Sequence, residues 1–128
     1  MTSITEAPVP MAKAIQDIIN ERLRQLEKHG DQSHLPDGTG PDIELDNLPV
    51  VGWGTVSAER LAAWAKARCK AASQNEGGNG TITYEQILTE EWAEAIAESD
   101  PTKLREELVQ LATVAVAWIE KIDNKERA

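Results

Sequence analysis

Between Thr83 and Ile122 the sequence holds two runs in which apolar residues return every three or four positions, separated only by Ser99-Asp100-Pro101. Tyr84, Ile87, Leu88 and Ala95 mark one face of the first run, and Leu104, Leu108, Leu111, Ala115, Ile119 and Ile122 mark the second. That period is the helical one, and so short a connection leaves two consecutive helices no arrangement but an antiparallel hairpin. Both starts are signalled. Thr83 with Gln86 is a capping-box pattern, and Asp100 sets a side-chain acceptor directly before Pro101, whose missing N–H costs nothing at the first helical position.

Two more helices precede the hairpin. From Met11 to Lys28 the residues Met11, Ile15, Ile18, Ile19, Leu23 and Leu26 recur at helical spacing, and Gly30 closes the run. Ser57 caps SAERLAAWAKARCKAASQ, which gives way to NEGGNG. The segment 29–56 is rich in Gly, Pro, Asp and Asn without sustained periodicity and reads as a long loop; Trp53 and the Val50-Val51 pair suggest that part of it packs. The expectation is an all-α, four-helix bundle-like fold with a long loop after helix one. Residues 11–123 form its single domain, 1–10 a loose arm and 124–128 a tail.

Thirteen basic against twenty-two acidic residues give a net charge of −9, which opposes polymeric nucleic acid and anionic membrane surfaces at long range. A small phosphorylated ligand stays possible, since a divalent cation between carboxylates and phosphates reverses the local field. The single Cys69 asks for no oxidising compartment, and no window nears the ~20 apolar residues of a membrane span, so a cytoplasmic setting is expected.

Advancing about 100° per residue, Glu91, Glu94 and Glu98 fall on or beside the apolar arc of helix three, while Glu90 lies on a more solvated flank. On helix four Glu107 stands among Leu104, Leu111, Val114 and Trp118, with Gln110 one step aside. Any one of these acids could be a helix-surface residue. Several together inside would cost roughly several kcal/mol unless cations or protons offset them. Residues at i and i+3 lie ~5 to 6 Å apart at Cβ, so Glu91 and Glu94 can reach one ion, and oxygen-only ligands suit Mg²⁺ or Mn²⁺. In helix one Arg22 falls within the apolar face, with Gln25 and His29 at its edge; Arg22 suits either a structural ion pair or a phosphate.

Other chemistries find little support. His29, His34 and Cys69 match no strong zinc spacing, the Glu-x-x-His pairs of a di-iron bundle are absent, and there is neither a GxxxxGKS/T phosphate loop nor a GxSxG nucleophile turn.

EEWAE at 90–94, a spacer of twelve residues between Glu94 and Glu107, and EEL at 106–108 resemble the ExxE, spacer, ExxD signature of the MazG-like all-α nucleoside-triphosphate pyrophosphohydrolases. ERLRQLEKHGDQSH and LREELVQLATVAVAWIEKID are similar to small MazG-related proteins, and the likeness spans roughly residues 15–123. It implies hydrolysis of a nucleoside triphosphate, or a related small nucleotide, to monophosphate and pyrophosphate with Mg²⁺ or Mn²⁺. Glu91, Glu94 and Glu107 would be metal ligands, with Gln110 in the fourth place. That place is an aspartate in the signature, and an amide oxygen can ligate Mg²⁺ but brings no charge. Glu90 or Glu94 would serve as the base for the attacking water, and Arg22, Gln25 and Glu98 are candidates for substrate contact. The resemblance further implies a homodimer or homotetramer. Two other functions remain open on the same fold: a non-catalytic nucleotide-binding module, which Gln110 motivates, and a helical interaction protein.

Overall fold

Each of the four α-helices begins where the sequence supplies the means. The computed structural model describes residues 3–45, 48–49, 54–74 and 82–127. Helix α1 spans Val9–His29, α2 Ala58–Ser73, α3 Tyr84–Ala97 and α4 Pro101–Arg127; among the described residues there is no strand. The Ser57 hydroxyl accepts from the Arg60 amide at 3.2 Å. Thr83 and Gln86 form the reciprocal capping box at 3.1 and 2.9 Å, and Asp100 accepts from the Lys103 amide at 3.1 Å. Helix α1 stops at Gly30, whose φ of 70° turns its N–H back onto the Leu26 carbonyl.

The two ends of the chain are more helical than expected. The supposed loose arm holds a 3-10 turn over Ile4–Glu6, and α1 already starts at Val9 because Pro10 lies in the first turn, where its missing donor goes unused. Helix α4 continues through the supposed tail to Arg127, since Asp123-Asn124-Lys125-Glu126 contains no helix breaker.

The helices form an open row rather than a closed ring. Helix α3 packs between α2 and α4, and α1 packs along α4 without close backbone contact to α2 or α3. The bundle-like arrangement is thus all-α but not closed on the α1 side. The cause lies in α1 itself: the residues it turns inward include Ala14, Ile18, Glu21 and Gln25, half-buried or buried, and this is no continuous apolar stripe. Its apolar residues Met11, Ile15, Ile19 and Leu23 face outward, as do Leu108, Ile119 and Ile122 of α4.

The tightest packing gathers at the start of α3. Leu35, Tyr84 and Val114 are buried together, with Ile87, Leu88 and Trp118 against them. Part of the long loop belongs to this core. The carbonyls of Pro36 and Asp37 accept from the Tyr84 and Glu85 amides at 3.0 Å each, so the loop supplies partners for the otherwise orphaned first turn of α3. Gly38 is required here, since its φ is 75° and a Cβ would come within 2.6 Å of the Thr83 hydroxyl. Trp53 and the Val50-Val51 pair lie outside the described residues. On the other side, Arg68 of α2 lies over the Trp64 ring and pairs through both terminal nitrogens with Glu85 of α3, clamping those helices together.

Candidate metal centre

Two helical turns beyond the core, α3 and α4 bring three carboxylates together. Glu91 and Glu94 stand one turn apart on α3, and Glu107 faces them from the first half of α4. One oxygen from each lies within 4.8 Å of the other two. All three are half-buried, and none makes an ion pair with a Lys or Arg among the described residues. The short Glu98-Ser99-Asp100 link fixes this placement, because it sets the register in which the end of α3 meets the start of α4.

Burial pushes the Glu91 carboxyl up to about 7, and the charges of Glu94, Glu107, Glu90 and Glu21 add to the effect. Burial also pushes Glu94 up to about 7, reinforced by the charges of Glu90 and Glu107 and by hydrogen bonds shared with both. Carboxylates that hydrogen-bond one another must share a proton, so Glu91 and Glu94 keep theirs to higher pH than an ordinary glutamate. A divalent cation offers the same relief, and the donor set fits one: oxygen ligands alone, able to close on a single point, with no thiolate or imidazole. His29, His34 and Cys69 do not assemble into a metal-binding group among the described residues. The buried Cys69 thiol donates instead to the Gln86 carbonyl at 3.1 Å.

Glu90 takes the flank facing α2, where it is half-buried near Cys69 and hydrogen-bonded to Glu94, rather than a solvated one. Glu98 is set apart from the triad, capping the end of α3 while its side chain accepts from the Asp100 amide at 3.1 Å. Arg22 is directed to Glu120 at 2.6 Å, a structural ion pair. Gln25 and Gln110 meet across α1 and α4, the Gln25 amide donating to the Gln110 carbonyl oxygen at 3.1 Å.

The residue that sequence reasoning missed is Glu21. Only 7% exposed, it is the one buried acid of α1, close enough for its charge to act on Glu91. Its partner is Arg24, whose side chain is largely in solvent. Its signal was the spacing Ala14, Ile18, Glu21, Gln25, an alternative face that the more apolar face beside it outweighed.

Because α1 packs on α4 but stands away from α3, a cleft of 580 Å³ opens between them. Glu21, Glu91 and Gln110 border it at the acidic end. Ile87 and Val114 line its middle, and Tyr84 and Ala117 its far end, with Lys28 and His29 on the α1 side. That is the size of a small-molecule site, and its lining is mixed, with Arg24, Gln32 and Ser73 among further polar residues beside the apolar ones. No described helix is long and apolar enough to cross a membrane. Comparison with family models, with curated proteins and with solved structures finds no match to this chain.

Proposed function

We propose that this chain is a Mg²⁺- or Mn²⁺-dependent nucleotide pyrophosphohydrolase of the MazG-like kind, cleaving a nucleoside triphosphate to monophosphate and pyrophosphate. The observation that carries the reading is the convergence of the Glu91, Glu94 and Glu107 carboxylates without an ion pair to a Lys or Arg among the described residues, one of them, Glu91, also lining the 580 Å³ cleft. These three would hold the metal, which when bound neutralises and orients phosphates. Glu94 hydrogen-bonds both Glu107 and Glu90, so a proton taken from an attacking water can pass to Glu94 or on to Glu90. Ile87, Val114 and Tyr84 offer the nucleoside an apolar surface within the cleft.

The outward apolar faces of α1 and α4 support a homodimer or homotetramer. A second copy would cover residues such as Leu23 and Ile119, which are 59% and 57% exposed. A purely monomeric protein in sedimentation at micromolar concentration would reject this.

A non-catalytic nucleotide-binding module is the second reading, favoured by one feature: Gln110 stands where a fourth acid would complete the signature and is already engaged by Gln25. A pyrophosphate-release screen across ribo- and deoxyribonucleoside triphosphates decides between the two. Release with Mg²⁺ or Mn²⁺ that stops with chelator is the expected result. Metal-dependent binding without release would leave the binding module, and neither binding nor release would overturn both.

A further inference from the structure

We infer that the Gln25–Gln110 amide pair is the sugar-reading element of the cleft, binding a hydroxyl of the nucleoside's sugar and discriminating against nucleotides that lack it. This rests on the nucleotide reading above and adds to it a part for two residues outside the acidic triad.

The first support is valence. When one primary amide donates to the carbonyl oxygen of another, the donating residue keeps a free carbonyl acceptor and the accepting residue keeps a free NH₂ donor. Among the described residues the Gln25–Gln110 bond is the one hydrogen bond either side chain makes. Both residues border the cleft. The pair therefore keeps the Gln25 carbonyl oxygen as an unused acceptor and N–H groups of both amides as unused donors, and a hydroxyl, which donates once and accepts as well, can use one of each.

The second support is position. Along α4 the cleft residues follow in order: Gln110 lies one turn beyond Glu107, about 4.5 Å along the axis, and Ala117 lies about 15 Å beyond it. Helix α3 runs the opposite way and presents Glu91, then Ile87, then Tyr84. A nucleotide with its phosphates at the carboxylates and its base at the Tyr84 end must place its sugar in between, beside the amides.

The experiment compares turnover and metal-dependent binding of ATP, GTP, CTP and UTP with their 2′-deoxy and 3′-deoxy counterparts, in the full chain and in Gln25→Leu and Gln25→Asn. Loss of the recognised hydroxyl should lower kcat/KM roughly tenfold in the wild type, and the 2′- and 3′-deoxy arms show which hydroxyl is read. Both variants should lose that preference. A merely structural pair would lower thermal stability in the variants and leave the ratio where it was. Turnover without sugar preference in the wild type, or an undiminished preference in both variants, overturns this inference alone. Silence with every nucleotide overturns the parent reading and this one with it.

Discussion

At the Tyr84 end of the α3–α4 hairpin, the polar groups drawn inside meet partners of opposite kind. At the Glu91 end, carboxylates meet one another. Asp37 accepts from the Trp118 indole at 2.7 Å and from Lys121 at 2.6 Å, and the Tyr84 hydroxyl donates to the Gln32 carbonyl at 3.0 Å beneath a ring stacked on Trp118. Eleven residues before Trp118 on α4, Glu107 faces Glu91 and Glu94, with the charge of Glu21, itself paired with the exposed Arg24, also acting on Glu91. One hairpin thus carries both a closed, satisfied end and an end whose repulsion only protons or a cation relieve. The first end makes the fold; the second holds free energy that a ligand can release.

The strongest way to break this contrast is to remove the closed end. Tyr84→Ala takes out a ring that is 3% exposed and should cost about 3–5 kcal/mol, enough to unfold much of the protein near physiological temperature. Tyr84→Phe, which loses one hydrogen bond, should cost about 1 kcal/mol. Urea titrations of both measure the difference, and a small loss in Tyr84→Ala would show that the core does not centre there.

At the acidic end the sign reverses. Glu94→Gln removes one of the converging charges, so the metal-free protein should become more stable at pH 8 while metal-dependent turnover falls roughly a hundredfold or more. Melting in chelator beside a turnover assay tests both halves. Wild-type activity at limiting Mg²⁺ would put the centre elsewhere.

Proton and metal should compete at that end. Glu91 and Glu94 stand at about 7 in the fold against an ordinary 4.5, so the folded protein binds more protons than the unfolded chain between these values. Their contribution favours the fold below about pH 4.5 and is lost as pH rises through about 7. The metal-free melting temperature should therefore fall between pH 5 and pH 8 on account of these two groups. Mg²⁺ at about 10 mM should restore it at pH 8 and do little at pH 5, where protons hold the site. An equal effect of Mg²⁺ at both pH values would separate the cation from these carboxylates.

The sequence disclosed these two ends unequally. Helix starts were legible because Ser57, Thr83 and Asp100 act within one turn of themselves. The acid triad was legible because Glu91 and Glu94 share a face by spacing and the short link between α3 and α4 dictates where Glu107 meets them. The inward face of α1 was not: Met11, Ile15, Ile19 and Leu23 announce a helix, but which face turns in depends on the partner, and α4 receives Glu21 and Gln25. A step of one residue turns the face by about 100°, and that step separates Arg22, paired with Glu120, from Glu21, beside the centre. Asp37 was silent for a related reason, since its partners Trp118 and Lys121 are remote in sequence.

The finest test of the contrast is Gln110, at the border between acidic end and cleft. Gln110→Asp shortens the side chain and removes the amide pairing with Gln25, and it sets a new charge one turn from Glu107. The lost hydrogen bond and added repulsion should cost the metal-free protein about 1 kcal/mol. With Mg²⁺ present the new carboxylate should draw the cation a few-fold more tightly, so the stability difference narrows as Mg²⁺ is raised. Calorimetric titration of Mg²⁺ into both proteins, beside melting with and without the ion, separates the contributions. If Gln110 instead lends its own oxygen to the metal, the Gln25 bond must open when the ion binds, and Gln25→Leu should then tighten Mg²⁺ binding by freeing it. Unchanged Mg²⁺ affinity in Gln25→Leu, with tightened affinity in Gln110→Asp, would keep Gln110 among the groups that face the nucleoside and leave the metal to the three glutamates.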